Sequence, residues 1–205
     1  MTDFDSARFR HVLGHFPTGV TVVTAMWDGL PQGLTIGSFT SVSLDPPLVG
    51  FFPGRNSTSW PEIEKAGVFC VNVLSEHQAD LCWRFAREID DKVDGVPWRT
   101  SASGSPIIDG VLAWIDCDLE KVVEAGDHWF VMGRVRELEV ETDHGPMLFF
   151  RAMLVVFTVV LVVRLAEGRR VPCACFGARS ARPIGVGSVV RNLVLIALAL
   201  VAAFS

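Results

Sequence analysis

This sequence has little of what would make several function classes easy to recognise. Its five cysteines (Cys70, Cys82, Cys117, Cys173, Cys175) are odd in number and scattered, so they make no disulfide framework. Cys70, Cys82 and Cys117 lack ligand spacing, so no metal site is expected and they read as core residues. The opening Met1–Arg10 is polar and acidic, so no secretory signal is expected, and a reducing cytoplasm is the expected home of the first part. There is no Rossmann fingerprint, no P-loop and no Gly-x-Ser-x-Gly elbow. There is also no internal repeat and no low-complexity linker. Cations are scarce early on: residues 1–151 hold 12 Lys and Arg against 22 Asp and Glu, which argues against a nucleic-acid binder.

Apolar residues, by contrast, are abundant. Half of the 205 residues are hydrophobic, a fifth are charged and the mean hydropathy is +0.38, which excludes a disordered or collagen-like chain. The length suits one well-buried domain plus a modest extra. The excess is concentrated at the end. Residues 152–205 carry six Arg against the single Glu167, around the uncharged runs Ala152–Val163 and Leu193–Phe204. The expected division is therefore a first domain over 1–151 and a hydrophobic tail over 152–205. The tail would hold two candidate transmembrane helices and a basic loop with Arg169, Arg170, Arg179, Arg182 and the Cys173-x-Cys175 pair. A spanning helix needs about 20 mainly apolar residues, which each run reaches only with arginines snorkelling at its ends. Such a tail points to an anionic membrane surface. A basic loop favours the cytoplasmic side, so the first domain shares that side only if the first run does not cross.

The first domain reads as mainly β with a few helices. Asp5 or Ser6 caps a helix with apolar positions Phe9, Val12, Leu13 and Phe16, ended by Pro17 and Gly19. Val20–Ala25 is a strand, Asp28-Gly29 a hairpin signal, Gly33–Ser43 a second strand and Leu48–Phe52 a third. Ser59…Glu62 and Ser75…Gln78 have capping-box spacing; the first helix runs to Gly67 and the second through Leu81, Cys82 and Phe85, with the buried strand Val68–Leu74 between them. Val111–Val123 and Trp129–Glu139 form long strands joined by a tight turn at residues 124–128. Many strands with hairpin connections predict an antiparallel barrel rather than a doubly wound sheet. Trp27, Trp83 and Trp114 read as packing residues, and His11, His15, His77 and His144 as surface or cap residues.

One constellation carries chemistry. Residues 34–43 pack five hydroxyls and a glycine into one strand and its exit, and Arg55-Asn56-Ser57-Thr58-Ser59 adds hydroxyls, a cation and a helix start. A phosphate needs several N–H and O–H donors, and an isoalloxazine ring needs a flat apolar slot with polar groups along one edge. The same residues also suit an edge strand followed by an ordinary capped turn. No carboxylate pair or triad is present, so a cofactor would supply the hard chemistry.

The runs Phe16-Pro17-Thr18-Gly19-Val20, Ser38-Phe39-Thr40-Ser41-Val42-Ser43-Leu44-Asp45-Pro46-Pro47, Ala66–Leu74, Phe85-Ala86, Asp91-Lys92, Gly95–Trp98, Ala125-Gly126-Asp127-His128 and Pro146–Arg151 follow one another in order. With them the stretch Phe9–Arg151 resembles the flavin reductase family. The resemblance implies an FMN-binding split β-barrel that forms a homodimer, with NADH or NADPH as reductant and FMN or FAD as acceptor. Reduced flavin would pass to a partner monooxygenase. It implies that Thr35, Ile36, Gly37, Ser38, Ser41 and Val42 line the isoalloxazine, and that Asn56, Ser57, Ser59 and Trp60 hold the ribityl phosphate end. His128 would serve at the nicotinamide, and Arg151 near the flavin and dinucleotide. Asp127 reads as a turn-former. The tail, with Cys173-Ala174-Cys175-Phe176-Gly177, is similar to the end of the methylamine-utilisation integral membrane protein family. Two other readings remain open: a non-catalytic flavin-binding module, and a membrane thiol protein fragment joined to a passenger reductase domain.

Overall fold

The computed structural model describes residues 5–87 and 92–149. Arg151 and the tail over 152–205, with its two expected membrane helices and Cys173 and Cys175, lie outside the described residues. Among the described residues no helix is long and apolar enough to cross a membrane. By compactness the chain divides into two units, Gly19–Leu148 and the two termini together (1–18 and 149–205). In the terminal unit, α1 (Ser6–Leu13) ends earlier than the predicted Pro17 stop, and Phe9, Val12, Leu13 and Phe16 are all exposed.

The remaining elements run β1 (Thr18–Gly19), β2 (Thr21–Trp27), β3 (Leu30–Ile36), β4 (Thr40–Leu44), β5 (Pro47–Phe51), α2 (Trp60–Ala66) and β6 (Val68–Val73). They continue with α3 (Ala79–Phe85), β7 (Trp98–Thr100), β8 (Pro106–Ile108), β9 (Ala113–Ala125), β10 (His128–Val140) and β11 (Leu148–Phe149). Seven of the strands make one antiparallel sheet in the order β3-β2-β6-β9-β10-β5-β4. The mainly-β expectation holds, but the sheet is not a closed barrel, because β3 and β4 are its two edges. The predicted single strand over Gly33–Ser43 is the reason. It breaks at residues 37–39, and its halves pair with different partners, β3 with β2 and β4 with β5.

Local sequence explains the hairpins. Asp28 and Gly29 both take positive φ (51° and 74°), the two-residue turn whose twist matches the flanking strands, and Trp27 pairs directly with Leu30. β9 and β10 pair along their length around Gly126-Asp127, with Ala125 opposite His128. Gly67 closes α2 in the left-handed conformation, its N–H donating to Glu64 O at 3.1 Å. The capping boxes fold less literally. Ser59 is itself helical and its side chain caps nothing; instead the Trp60 N–H donates to Ser57 Oγ at 3.2 Å. In the second box only the reciprocal half forms, the Ser75 N–H donating to Gln78 Oε1 at 3.0 Å.

Two apolar clusters flank the sheet. One gathers Val23, Leu34, Ile36, Phe51, Trp60, Ile63, Phe69 and Val131; the other gathers Val22, Leu74, Cys82, Phe85, Ile108 and Val111. Cys70, Cys82 and Cys117 are buried free thiols, and burial pushes all three upward, Cys117 to about 12. The tryptophans depart from the packing expectation: Trp83 is 55% exposed, and Trp27 lies half-open beneath Lys65. Polar groups staple the interior. The Asn72 amide donates to Val22 O and Thr24 Oγ1 and accepts the Ile108 N–H at 2.8 Å, tying β8 to the sheet. Fully buried Asp116 accepts from Ser101 Oγ (2.8 Å), Ser103 Oγ (2.6 Å) and the Ser103 N–H (2.9 Å).

Candidate active site

The pocket opens where the sheet fails to close. It has a volume of about 480 Å³ and is walled by the end of β3 and its exit (Leu34–Ser38), the β5–α2 loop (Phe52–Gly54 and Asn56–Thr58), the end of α3 (Phe85–Arg87), Lys92 and His128. Among the described lining residues none is acidic. Three carry or can carry positive charge: Arg87, Lys92 and His128. Leu34, Ile36, Phe52, Pro53 and Phe85 supply apolar wall.

The close approach of elements here depends on two glycines. A Cβ on Gly33 would sit 2.6 Å from the Phe85 ring, so α3 can lean on β3 only because that position is bare. A Cβ on Gly54 would sit 2.7 Å from Asn56 Oδ1 and 4.0 Å from His128 Nε2, so Gly54 lets the amide and the imidazole converge over the loop. The loop is docked on the β9–β10 hairpin by a bridge between Gly54 and His128, by the Arg55 N–H donating to Asp127 O (3.0 Å), and by the Trp129 N–H donating to Pro53 O (2.9 Å).

Of the residues singled out by sequence, Thr35, Ile36, Gly37, Ser38, Asn56, Ser57 and His128 come together around the pocket. Thr35 Oγ1 donates to Cys82 O at 2.8 Å, which leaves its oxygen as an acceptor. Ser38 Oγ accepts the Phe52 N–H at 3.0 Å and so spans the gap between β3 and the end of β5. Ser57 Oγ accepts from Trp60, which leaves its O–H a donor. His128 Nδ1 lies 2.7 Å from Asp127 Oδ1; a carboxylate partner there holds the proton on Nδ1 and leaves Nε2 on the Gly54 side.

Four other expected residues do not line the pocket. Ser41 and Val42 sit on the exposed edge strand β4, carried away by the break after Ile36. Ser59 is buried and its hydroxyl accepts from Lys92 at 2.9 Å. Trp60 is 2% exposed in the core, edge-on to Phe51 at 5.8 Å, because it occupies the inward face of α2. Arg151 lies outside the described residues. Arg55 also stays off the pocket wall: its guanidinium lies 4.6 Å from the Trp129 ring centroid and pairs with Glu124 at 3.0 Å. Sequence reasoning placed Thr58 in the hydroxyl-rich constellation before α2 without assigning it a role, and gave no site role to Phe52, Phe85, Arg87 or Lys92. The only signal for Phe85 and Lys92 was that Phe85-Ala86 and Asp91-Lys92 are among the runs behind the resemblance.

The donor set suits a flavin: apolar wall for a ring system, hydroxyls and an amide for a ribityl chain, and the Arg87 guanidinium, with no described lining carboxylate, for a phosphate.

The comparisons agree with this geometry. The family model for the flavin reductase like domain matches residues 13–157, and that for methylamine utilisation protein MauE matches residues 142–205. A flavin reductase of Pseudomonas putida is 60% identical over 148 residues, covering 72% of this chain and 87% of its own. The structure of nitrilotriacetate monooxygenase component B from Mycobacterium thermoresistibile superposes with a TM-score of 0.69 at 48% identity, covering 72% of this chain and 83% of that one. The NADH:FAD oxidoreductase SgcE6 of Streptomyces globisporus, in complex with NAD and FAD fragments, superposes with a TM-score of 0.67 at 37% identity, covering 71% and 88%. An open antiparallel sheet whose unclosed edge is walled in this way, together with a domain match over most of its length, places the chain in the flavin reductase family.

Proposed function

We propose that this protein is an NAD(P)H:flavin oxidoreductase that reduces FMN or FAD by hydride transfer and supplies the reduced flavin to a partner monooxygenase. The observation that carries the reading is the pocket at the split of the sheet, apolar on one wall, hydroxyl-lined on another and edged by cations. The similarity to a flavin reductase, to a monooxygenase component and to an oxidoreductase bound to NAD and FAD fragments supports it.

A bound flavin supplies the hydride-accepting ring. The chain's own work is binding and orientation. Leu34, Ile36 and Phe52 exclude water from the ring faces. Asn56, Ser57 and Thr58 offer an amide and hydroxyls to the phosphorylated end. His128, oriented by Asp127, presents Nε2 as an acceptor for the carboxamide N–H of a nicotinamide. No side chain has to act as a general acid or base for hydride transfer, so its positioning is the main contribution.

Three finer points belong to this proposal. The reductase portion runs through Arg151, which serves near the flavin and dinucleotide. Exposed apolar side chains such as Val42, Leu44, Leu138 and Val140 offer faces for a second copy, consistent with a homodimer. The uncharged, arginine-flanked runs of 152–205 attach the chain to a membrane, with the reductase portion on the cytoplasmic side.

The test is loss of the absorbance of reduced nicotinamide on mixing the protein with FMN or FAD and NADH or NADPH. Turnover is expected. Flavin binding without oxidation of either dinucleotide would favour a binding module instead. Replacing both Ser38 and Ser57 by Leu should abolish flavin retention, and unchanged retention would refute this placement of the site. His128→Ala should raise KM for the dinucleotide about tenfold, one lost hydrogen bond to a buried polar partner, with flavin affinity unchanged.

A further inference from the structure

The β5–α2 loop is held at its start by the β9–β10 hairpin, but what fixes its other end comes from elsewhere in the chain. Lys92 reaches it from beyond α3. Its Nζ lies 2.9 Å from Ser59 Oγ, 3.3 Å from Gly33 O and 3.4 Å from Phe85 O. An ammonium carries three N–H donors, so one side chain can serve all three acceptors. Those acceptors belong to β3, to the residue entering α2 and to the last residue of α3; β3, the Asn56–Thr58 stretch just before Ser59 and the end of α3 each contribute a wall of the pocket. The contact also accounts for Ser59, which has capping-box spacing yet caps nothing: its oxygen is turned toward Lys92.

We propose that Lys92 is a positioning residue that holds the Asn56–Ser59 stretch against β3 and so shapes the part of the pocket facing the flavin phosphate. This rests on the flavin reading above. The stretch Asn56–Thr58 carries an amide and two hydroxyls, groups suited to an anionic oxygen. The ring faces apolar side chains instead. Releasing the Ser59 end therefore weakens a phosphorylated flavin and spares riboflavin, which has the same ring and no phosphate.

The experiment titrates the full-length protein with FMN and, separately, with riboflavin, following flavin fluorescence, for the unaltered chain, Lys92→Met, Ser59→Ala and the double variant. Lys92→Met should weaken FMN about tenfold, the scale of one lost hydrogen bond to a charged group, and riboflavin less than about threefold. The double variant should bind FMN no more weakly than Lys92→Met alone, because both changes remove the same contact. Equal losses for the two flavins, no loss for either, or additive losses in the double variant would each overturn the proposal. Should Lys92→Met fail to fold, Ser59→Ala alone carries the test, with an FMN-selective loss of about threefold expected for the weaker perturbation. An unaltered chain that binds neither flavin overturns the reading of the site itself, and this proposal with it.

Discussion

Two serine-rich stretches of this chain come to opposite ends in the fold. Ser101 and Ser103 close on one buried carboxylate, with Asp116 accepting two hydroxyls and a backbone N–H, and fully buried Ser105 bonds to both serines. Ser38, Ser57 and Thr58 line a cavity instead: Ser38 Oγ exchanges hydrogen bonds with the Phe52 backbone, while Ser57 Oγ accepts from Trp60 and keeps its O–H as a donor. Composition does not separate the two. What separates them is whether an internal acceptor lies within reach: the first stretch packs against β9, which brings Asp116, whereas the second borders the place where the sheet stays open and no described carboxylate enters. A satisfied polar cluster holds the fold together, and an unsatisfied one at a gap is a site for a ligand.

The contrast can be broken at either end, starting with the largest effect. Asp116→Ala strands two hydroxyls and an N–H in the interior, and should lower the unfolding free energy by about 3 kcal/mol in urea titrations. FMN affinity of the folded protein should stay within about twofold, since the lost contacts are buried away from the pocket. A matching loss of FMN affinity would show that the two stretches are coupled. Gly33→Ala strikes the pocket side. Its Cβ would meet the Phe85 ring at 2.6 Å, and the overpacking should cost about 2 kcal/mol and weaken FMN together with stability.

Alkaline pH separates the ends without mutation. Cys117 lies next to Asp116, and burial, reinforced by Asp116 and Asp118, raises it from 9.0 to about 12. Its folded form keeps the proton that the unfolded chain loses, so the stability it contributes is complete below pH 9.0 and is lost as pH rises toward about 12. Cys117 alone should contribute a fall in unfolding free energy of about 1 kcal/mol per pH unit in that window, with buried Cys70 and Cys82 adding to the slope, so the fall is shallower in Cys117→Ala. The chain has no tyrosine to obscure the trend. The smallest effect is expected from Thr35→Val, which leaves Cys82 O without its 2.8 Å donor and should cost about 1 kcal/mol with a slight loss of FMN affinity.

Much of the architecture was legible because it is encoded locally. Asp28-Gly29 and Gly126-Asp127 mark hairpins by the backbone angles they tolerate, and Gly67 marks a helix end for the same reason. The buried strand at Val68–Val73 follows from its apolar run. The break between β3 and β4 was not legible, since residues 33–43 read as one continuous strand and only different pairing partners split them. Site residues divide in the same way. Thr35 to Ser38, Asn56, Ser57 and His128 sit on contiguous stretches that carry the expected donors and reach the pocket. Ser41, Val42 and Trp60 sit on the same stretches, but the break after Ile36 carries Ser41 and Val42 onto edge strand β4 and helix facing turns Trp60 into the core.

The order of residues alone settled the family resemblance, the mainly-β composition and the turns, because turn chemistry and apolar periodicity act between near neighbours. Tertiary structure decided that the sheet stays open, that Arg55 stacks on Trp129 rather than facing the pocket, and that Lys92 reaches β3, α2 and α3. Those outcomes depend on contacts between residues tens of positions apart, and no local propensity specifies which distant partner a strand edge or an ammonium group will meet.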